Sequence, residues 1–448
     1  MISRTVRCAP NRFRPRSAPP ARVRARFDWK TGLAAVIAGT ALNAGGAGWA
    51  GREAAAVAHA EAAADAAGLV ARGRGLLRAG QLKEAEVALK QAAQQRGQTP
   101  EALYDLARVH FASGDYEKAR NACRPLVAKA PANPFSNLCM AQAFLVWRRA
   151  ARAAEYVEKA RAADPALLEV YQVQGDLKRI EGDAAAGEAA YRKVLSQRPN
   201  DPDAQFGLGS LYLIKPDPEA AAKAFRAALI EAPDWPEALY ELGRLSSGDE
   251  AIQLLQRALA ARPSWAEARL ALGEARLANG DLAQAERLFR EALKLAPNLA
   301  LAHARLGVAL ETQGDLGRAE VELQRGLQGV PNDADAAFAL ARVYARTDRP
   351  EDAFEAFRNA ASRERTGSRA LVAAGTYALS LQRNTLAQAF LEKAVQRTPS
   401  WAPAQAGYAE VLWARGDKDQ AKVHYRLSLT AQGPLDRADV QRRLDSLK

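Results

Sequence analysis

Four histidines and three cysteines are the side chains of this 448-residue chain best suited to nucleophilic or metal chemistry, and their spacing offers little of either. His59, His110, His303 and His424 lie far apart, with no close pair and no His-Glu-x-x-His pattern, so no metal site or catalytic triad is expected. Cys8, Cys123 and Cys139 include no Cys-x-x-Cys, which argues against zinc. Gly45-Gly46-Ala47-Gly48 has no following Lys-Ser or Lys-Thr and makes no phosphate loop. Neither a catalytic residue, a metal nor a cofactor is predicted. One pair stays open: Cys123 and Cys139 fall in neighbouring predicted helices, and either bond in an oxidising compartment or sit as two buried thiols in a helix interface.

The elements that position these residues are set by a ladder of small side chains. Ala85, Ala119, Ala153, Gly187 and Ala221 are each 34 residues apart, and Ala251 restarts the ladder through Ala285, Ala319, Ala353, Ala387 and Ala421. Such a schedule implies an internal repeat, because no single globular core needs a small residue at that interval. Eleven units then begin at Ala66, Pro100, Pro134, Leu168, Pro202, Pro236, Ala266, Ala300, Ala334, Ser368 and Ala402. Their eighth position is always Gly or Ala, as two tightly packed helices require. Mid-unit Gly80-Gln81, Gly114-Asp115, Gly182-Asp183, Gly280-Asp281, Gly314-Asp315 and Gly416-Asp417 read as a helix stop followed by a helix start. Prolines such as Pro131, Pro165, Pro233 and Pro297 close the units. The fold class read from this is all-α, a solenoid of antiparallel helix pairs. Trp235, Trp265 and Trp401 recur just after a closing proline, which marks them as packing between units.

Two units break the rhythm. The sixth is four residues short around Ser246-Ser247-Gly248-Asp249, which should shorten its first helix and change the curvature there. The ninth ends in Ser362–Arg369 with Arg365 where a proline is usual, a polar connection expected to be the flexible break.

A small eighth residue, a small twentieth, a bulky twenty-fourth and a proline at thirty-two, as in Gly209, Ala221, Phe225 and Pro233 or Gly273, Ala285, Phe289 and Pro297, resemble the tetratricopeptide repeat. The resemblance spans about four fifths of the chain and implies a right-handed superhelix whose concave side is lined by the first helix of each unit. By that family's geometry, Tyr104, Arg108, Phe111, Phe135, Leu138, Gln142, Leu145, Arg179, Phe206 and Leu213 point into the groove. This predicts an apolar and aromatic lining with two arginines, suited to an extended peptide or an amphipathic helix of a protein partner. The Lys and Asn set with which some members hold a terminal carboxylate has no match here.

Charge separates the amino terminus from the rest. Of the net charge of +12, residues 1–30 hold +8, which leaves +4 for the remaining 418 residues. Direct nucleic-acid binding by the repeat body is therefore not expected. Residues 1–50 read as a basic, disordered tail plus a signal-like apolar segment centred on Leu33–Leu42, 51–65 as a leading cap helix, 66–434 as the eleven units and 435–448 as a closing cap helix. The expected role is a non-enzymatic interaction scaffold or assembly factor in a bacterial cell envelope, for secretion, pilus or polysaccharide export. It would be periplasmic or associated with the inner membrane through its amino terminus. The alternatives are a cytoplasmic regulatory adaptor with a basic tail, and a non-catalytic subunit that presents substrate to a separate glycosyltransferase.

Overall fold

The computed structural model describes residues 65–95, 100–363 and 368–447. The export-like segment, most of the predicted leading helix and the core of the Ser362–Arg369 junction lie outside the described residues. Helices alternate with short turns throughout: α1 (65–78), α2 (Leu82–Gln94), α3 (Pro100–Ala112), α4 (Tyr116–Lys129), α5 (Pro134–Val146), α6 (Ala150–Ala163), α7 (Leu168–Glu181), α8 (Ala184–Gln197), α9 (Pro202–Ile214), α10 (Pro218–Glu231) and α11 (Pro236–Leu245). They continue as α12 (Gly248–Ala261), α13 (Ala266–Ala278), α14 (Leu282–Leu295), α15 (Ala300–Gln313), α16 (Leu316–Gly329), α17 (Ala334–Arg346), α18 (Pro350–Arg363), α19 (Arg369–Ser380), α20 (Asn384–Arg397), α21 (Ala402–Ala414), α22 (Lys418–Thr430) and α23 (Arg437–Ser446). The fold is an all-α solenoid of helix pairs. Two compact arrays divide it, one holding the described residues up to Ser246 with Gln253–Ser264, the other Ser247–Ile252 with Trp265 onward. The division falls in the shortened sixth unit, whose first helix α11 has 10 residues where the other unit-opening helices whose bounds are set have 12 to 14.

Each helix pair is held by a small residue facing a large one. The alanines of the ladder from Ala85 to Ala421 are almost wholly buried, most of them at 0% exposure. The eighth position lies directly under the bulky twenty-fourth: a Cβ added to Gly209 would sit 2.7 Å from the Phe225 ring, and one on Gly273 would sit 2.5 Å from Phe289. A larger eighth residue would push the helices apart and lose the buried contact of both rings.

The turn between the two helices of a unit needs a left-handed residue. Gly80, Gly114, Gly182, Gly280, Gly314 and Gly416 supply it with φ between 72° and 92°. The same position in units three, nine and ten is held by Arg148, Asp348 and Gln382, at φ of 56° to 59°. The aspartate that follows the glycine then caps the next helix, as where the Asp183 carboxylate accepts from the Ala186 N–H at 3.1 Å.

The carboxyl-terminal helix α23 is capped by Asp436 and lays Val440 and Leu444 over Leu412 and Tyr425, covering the apolar end of the last pair. Among the described residues no helix is long and apolar enough to cross a membrane.

Candidate functional site: a polar cavity inside the first array

The first helices of units one to five, α1, α3, α5, α7 and α9, surround one concave cavity of about 230 Å3. Its wall repeats with the units. The ninth position contributes Arg74, Arg108, Gln142, Asp176 and Ser210 in turn. Tyr104, Gln172 and Phe206 come from the fifth position, and Glu169 and Asp203 from the second. Arg78, Arg179, Arg198, Asp201 and Trp235 complete the polar and aromatic edge.

Ion pairs close the cavity between units distant in sequence. Arg78 at the end of α1 binds the Asp203 carboxylate at the start of α9, with Nε at 3.2 Å, across 125 residues. Arg108 reaches the other oxygen of Asp203 at 3.4 Å. Asp105, with no exposed surface, takes Arg74 at 2.6 Å and Arg108 at 3.1 Å. Glu101 and Glu169 also pair with Arg74, at 2.7 and 3.6 Å. The turn after α1 approaches the start of α11, since a side chain on Gly80 would come within 3.4 Å of Pro236. The first array thus curls until unit one meets units five and six.

Charge in this network is set by mutual neutralisation. Burial works to raise the Asp203 pKa, but Arg108 and Arg78 outweigh it and hold the carboxyl at about 2, below its ordinary 3.8. Burial likewise opposes the charge of Arg108, and the Asp203 and Asp105 carboxylates raise its pKa regardless. Asp176 is different. Burial raises its pKa although Arg179 lies near and the Tyr191 hydroxyl donates to it at 2.7 Å.

Half of the residues predicted for the groove line this cavity, and the other half do not. Tyr104, Arg108, Gln142, Arg179 and Phe206 do, with the Gln142 Nε2 donating to the Tyr104 hydroxyl at 2.9 Å. Leu138 has no exposed surface and belongs to the core, which corrects its placement in the groove. Phe111, Phe135 and Leu145 pack against that same core, Phe135 with its ring 5.6 Å from that of Tyr104. Leu213 is 38% exposed but lies off the cavity wall. The expected aromatic lining is present in Tyr104, Phe206 and Trp235, and charged side chains of four units join it. Sequence reasoning passed over Arg74, Arg78, Asp203 and Ser210, although the ninth position, followed into units one and five, selects Arg74 and Ser210. Trp235 both packs, stacked on Phe206 at 4.5 Å between ring centres, and lines the cavity.

Cys123 and Cys139 are joined as a disulfide, with Cα atoms 5.9 Å apart. Their register explains the pairing. Cys123 holds the bulky twenty-fourth position of unit two, and Cys139 the sixth position of unit three. In the equivalent interface between units four and five, Tyr191 fills the space over Gly207, where a Cβ would lie 2.4 Å from its ring. Two small cysteines meet where, in that interface, a tyrosine faces a glycine.

Models of the tetratricopeptide repeat match residues 76–139, 173–236, 237–300, 270–329, 304–368 and 402–426. The chain belongs to the tetratricopeptide repeat family. As such an array it is a protein-interaction scaffold. No curated protein matches it by sequence. Among solved structures it is similar to yeast Tom70 (TM-score 0.42, 15% identity, 85% of this chain and 95% of that one). The Cut9–Hcn1 hetero-tetramer of the APC/C aligns at a TM-score of 0.48 and 17% identity, over 78% of this chain and 76% of that one. Pseudomonas aeruginosa PilF aligns at 0.35 and 21%, over 41% and 88%.

In the tetratricopeptide units of the second array the inner face is bridged locally. Arg305 joins Glu274 and Asp333, each at 2.8 Å, and the buried Glu311 takes Arg342 and Arg346. Among the described residues no group of His, Cys, Asp and Glu is arranged to hold a metal.

Proposed function

We propose that the first array holds a segment of a protein partner in its concave cavity, and that the chain works as an assembly scaffold in a bacterial cell envelope. One observation carries the reading: the inner positions of five successive repeats converge on a single cavity, where polar atoms of Gln142, Glu169, Gln172 and Arg179 are left without partners. Buried polar groups are normally satisfied, and a site that leaves several bare is built for a ligand that completes them.

The envelope setting has two supports. The amino terminus has the basic flank, apolar stretch and small-residue exit of an exported chain. A disulfide between the two cysteines of the repeat body suits an oxidising compartment. Within an envelope, assembly of a secretion, pilus or polysaccharide-export machine is the role proposed.

Ser210→Trp fills the cavity from the ninth position of unit five without touching the core. In the native host, the partner captured by the wild-type chain should be lost by this variant while the array stays folded. Undiminished capture by Ser210→Trp would overturn the assignment of the cavity. Fractionation with sequencing of the mature amino terminus tests the location, and a cytosolic chain with Met1 intact would contradict it.

A further inference from the structure

The geometry points to a cationic side chain of the partner, a guanidinium or an ammonium group, as the occupant of this cavity; the inference rests on the cavity being the partner site. The hydrogen-bond inventory decides the sign of the ligand. The arginines that might attract an anion are already engaged: Arg74 by Glu101, Asp105 and Glu169, Arg78 by Asp203, Arg108 by Asp105 and Asp203, and Arg198 by Glu169 at 3.2 Å. What stays unmatched is mostly acceptor. The buried oxygens Gln142 Oε1, Glu169 Oε2 and Gln172 Oε1 have no hydrogen-bond partner, against two donors, Arg179 Nε and Arg74 Nη2, the latter already 2.7 Å from the Glu101 carboxylate.

Two of the three acceptors have no freedom to become donors. The Gln172 amide nitrogen donates at 3.2 Å to the backbone carbonyl of Asp203, which can only accept, so the amide cannot turn over and its oxygen is the free atom. Glu169 gives Oε1 to Arg198 and keeps Oε2 open. These residues stand three apart on α7 and share one face, with Asp176 a turn further along. Gln142 faces the same space from α5. A carboxylate or phosphate has acceptors only and would oppose this set. A guanidinium carries five N–H donors in one plane and an ammonium three, which matches it.

The test uses the full chain and three probes of similar size: acetyl-arginine amide, acetyl-lysine amide and acetyl-glutamate amide. Binding is followed by saturation-transfer NMR and titration calorimetry. The cationic probes should bind and the glutamate probe should not; Gln172→Leu and Glu169→Gln should each weaken the cationic probe by at least about tenfold, with helicity unchanged. Tighter binding of acetyl-glutamate amide, or cationic binding indifferent to both variants, would overturn the inference. Partner capture by Ser210→Trp separates the two levels. If Ser210→Trp abolishes capture and no cationic probe binds, only the nature of the occupant is wrong; if capture survives, the site itself is wrong.

Discussion

Asp203→Asn removes the carboxylate that ties unit five to unit one while keeping its shape. Asp203 is 16% exposed, and Arg78 and Arg108 hold its pKa at about 2 against an ordinary 3.8. At roughly 1.4 kcal/mol per tenfold change in proton affinity, that depression is worth about 2.5 kcal/mol to the folded array at neutral pH. The sign follows from its direction. A carboxyl with a lowered folded pKa stabilises above its unfolded pKa, so the contribution is complete above pH 4 and fades as pH falls toward about 2. In a solenoid with nearest-neighbour contacts alone, a change in unit five loosens units four and six first. Here the Arg78 bond spans 125 residues, so α1 and α2 should respond directly. Hydrogen exchange read by mass spectrometry should show protection in α1 and α2 falling on the order of 50-fold at pH 7. The gap between variant and wild type should close between pH 4 and pH 2. Loss of protection confined to α9 and α10, or a gap independent of pH, would refute the closure of unit one on unit five.

Reducing the disulfide, or replacing Cys123 and Cys139 together by Ala, should cost about 3 kcal/mol, the chain-entropy value for a loop near 15 residues; the bond here spans 16, and urea denaturation with and without reductant measures the effect. Gln382→Gly relieves a left-handed residue at φ 59° and should raise stability by about 0.5–1 kcal/mol in the same assay, whereas a loss would mean the Gln382 side chain contributes more than its backbone costs. Gly207→Ala places a methyl 2.4 Å from the Tyr191 ring and should destabilise the first array by about 1–3 kcal/mol, measured by thermal melting.

The ladder from Ala85 to Ala421 exposed the helix pairs because every interface imposes the same steric limit on that position. The left-handed turns were legible where glycine fills them and hidden at Arg148, Asp348 and Gln382, which take the same conformation with residue types that do not signal it. The cavity was legible only in part. Repeat register tells which face of a helix turns inward, and it selected Tyr104, Arg108, Gln142, Arg179 and Phe206. It does not tell how tightly the array curls. Curling brings Arg78 and Arg108 onto Asp203, 125 and 95 residues away, and so adds ion pairs to the inner surface. Leu138 and Leu145, expected at the same surface, turn instead into the core between units. The disulfide needed distances that spacing cannot supply, although the twenty-fourth and sixth positions of adjoining units were the clue to it.

The central claim, that the partner enters the cavity of the first array, is tested most directly by site-specific photocrosslinking in the native host. A photoreactive residue is placed at Ser210 on the cavity wall, and at Ile230, 75% exposed on α10 and off that wall, as the comparison. One partner adduct is expected from Ser210 and none from Ile230. The same adduct from Ile230, with none from Ser210, would contradict it.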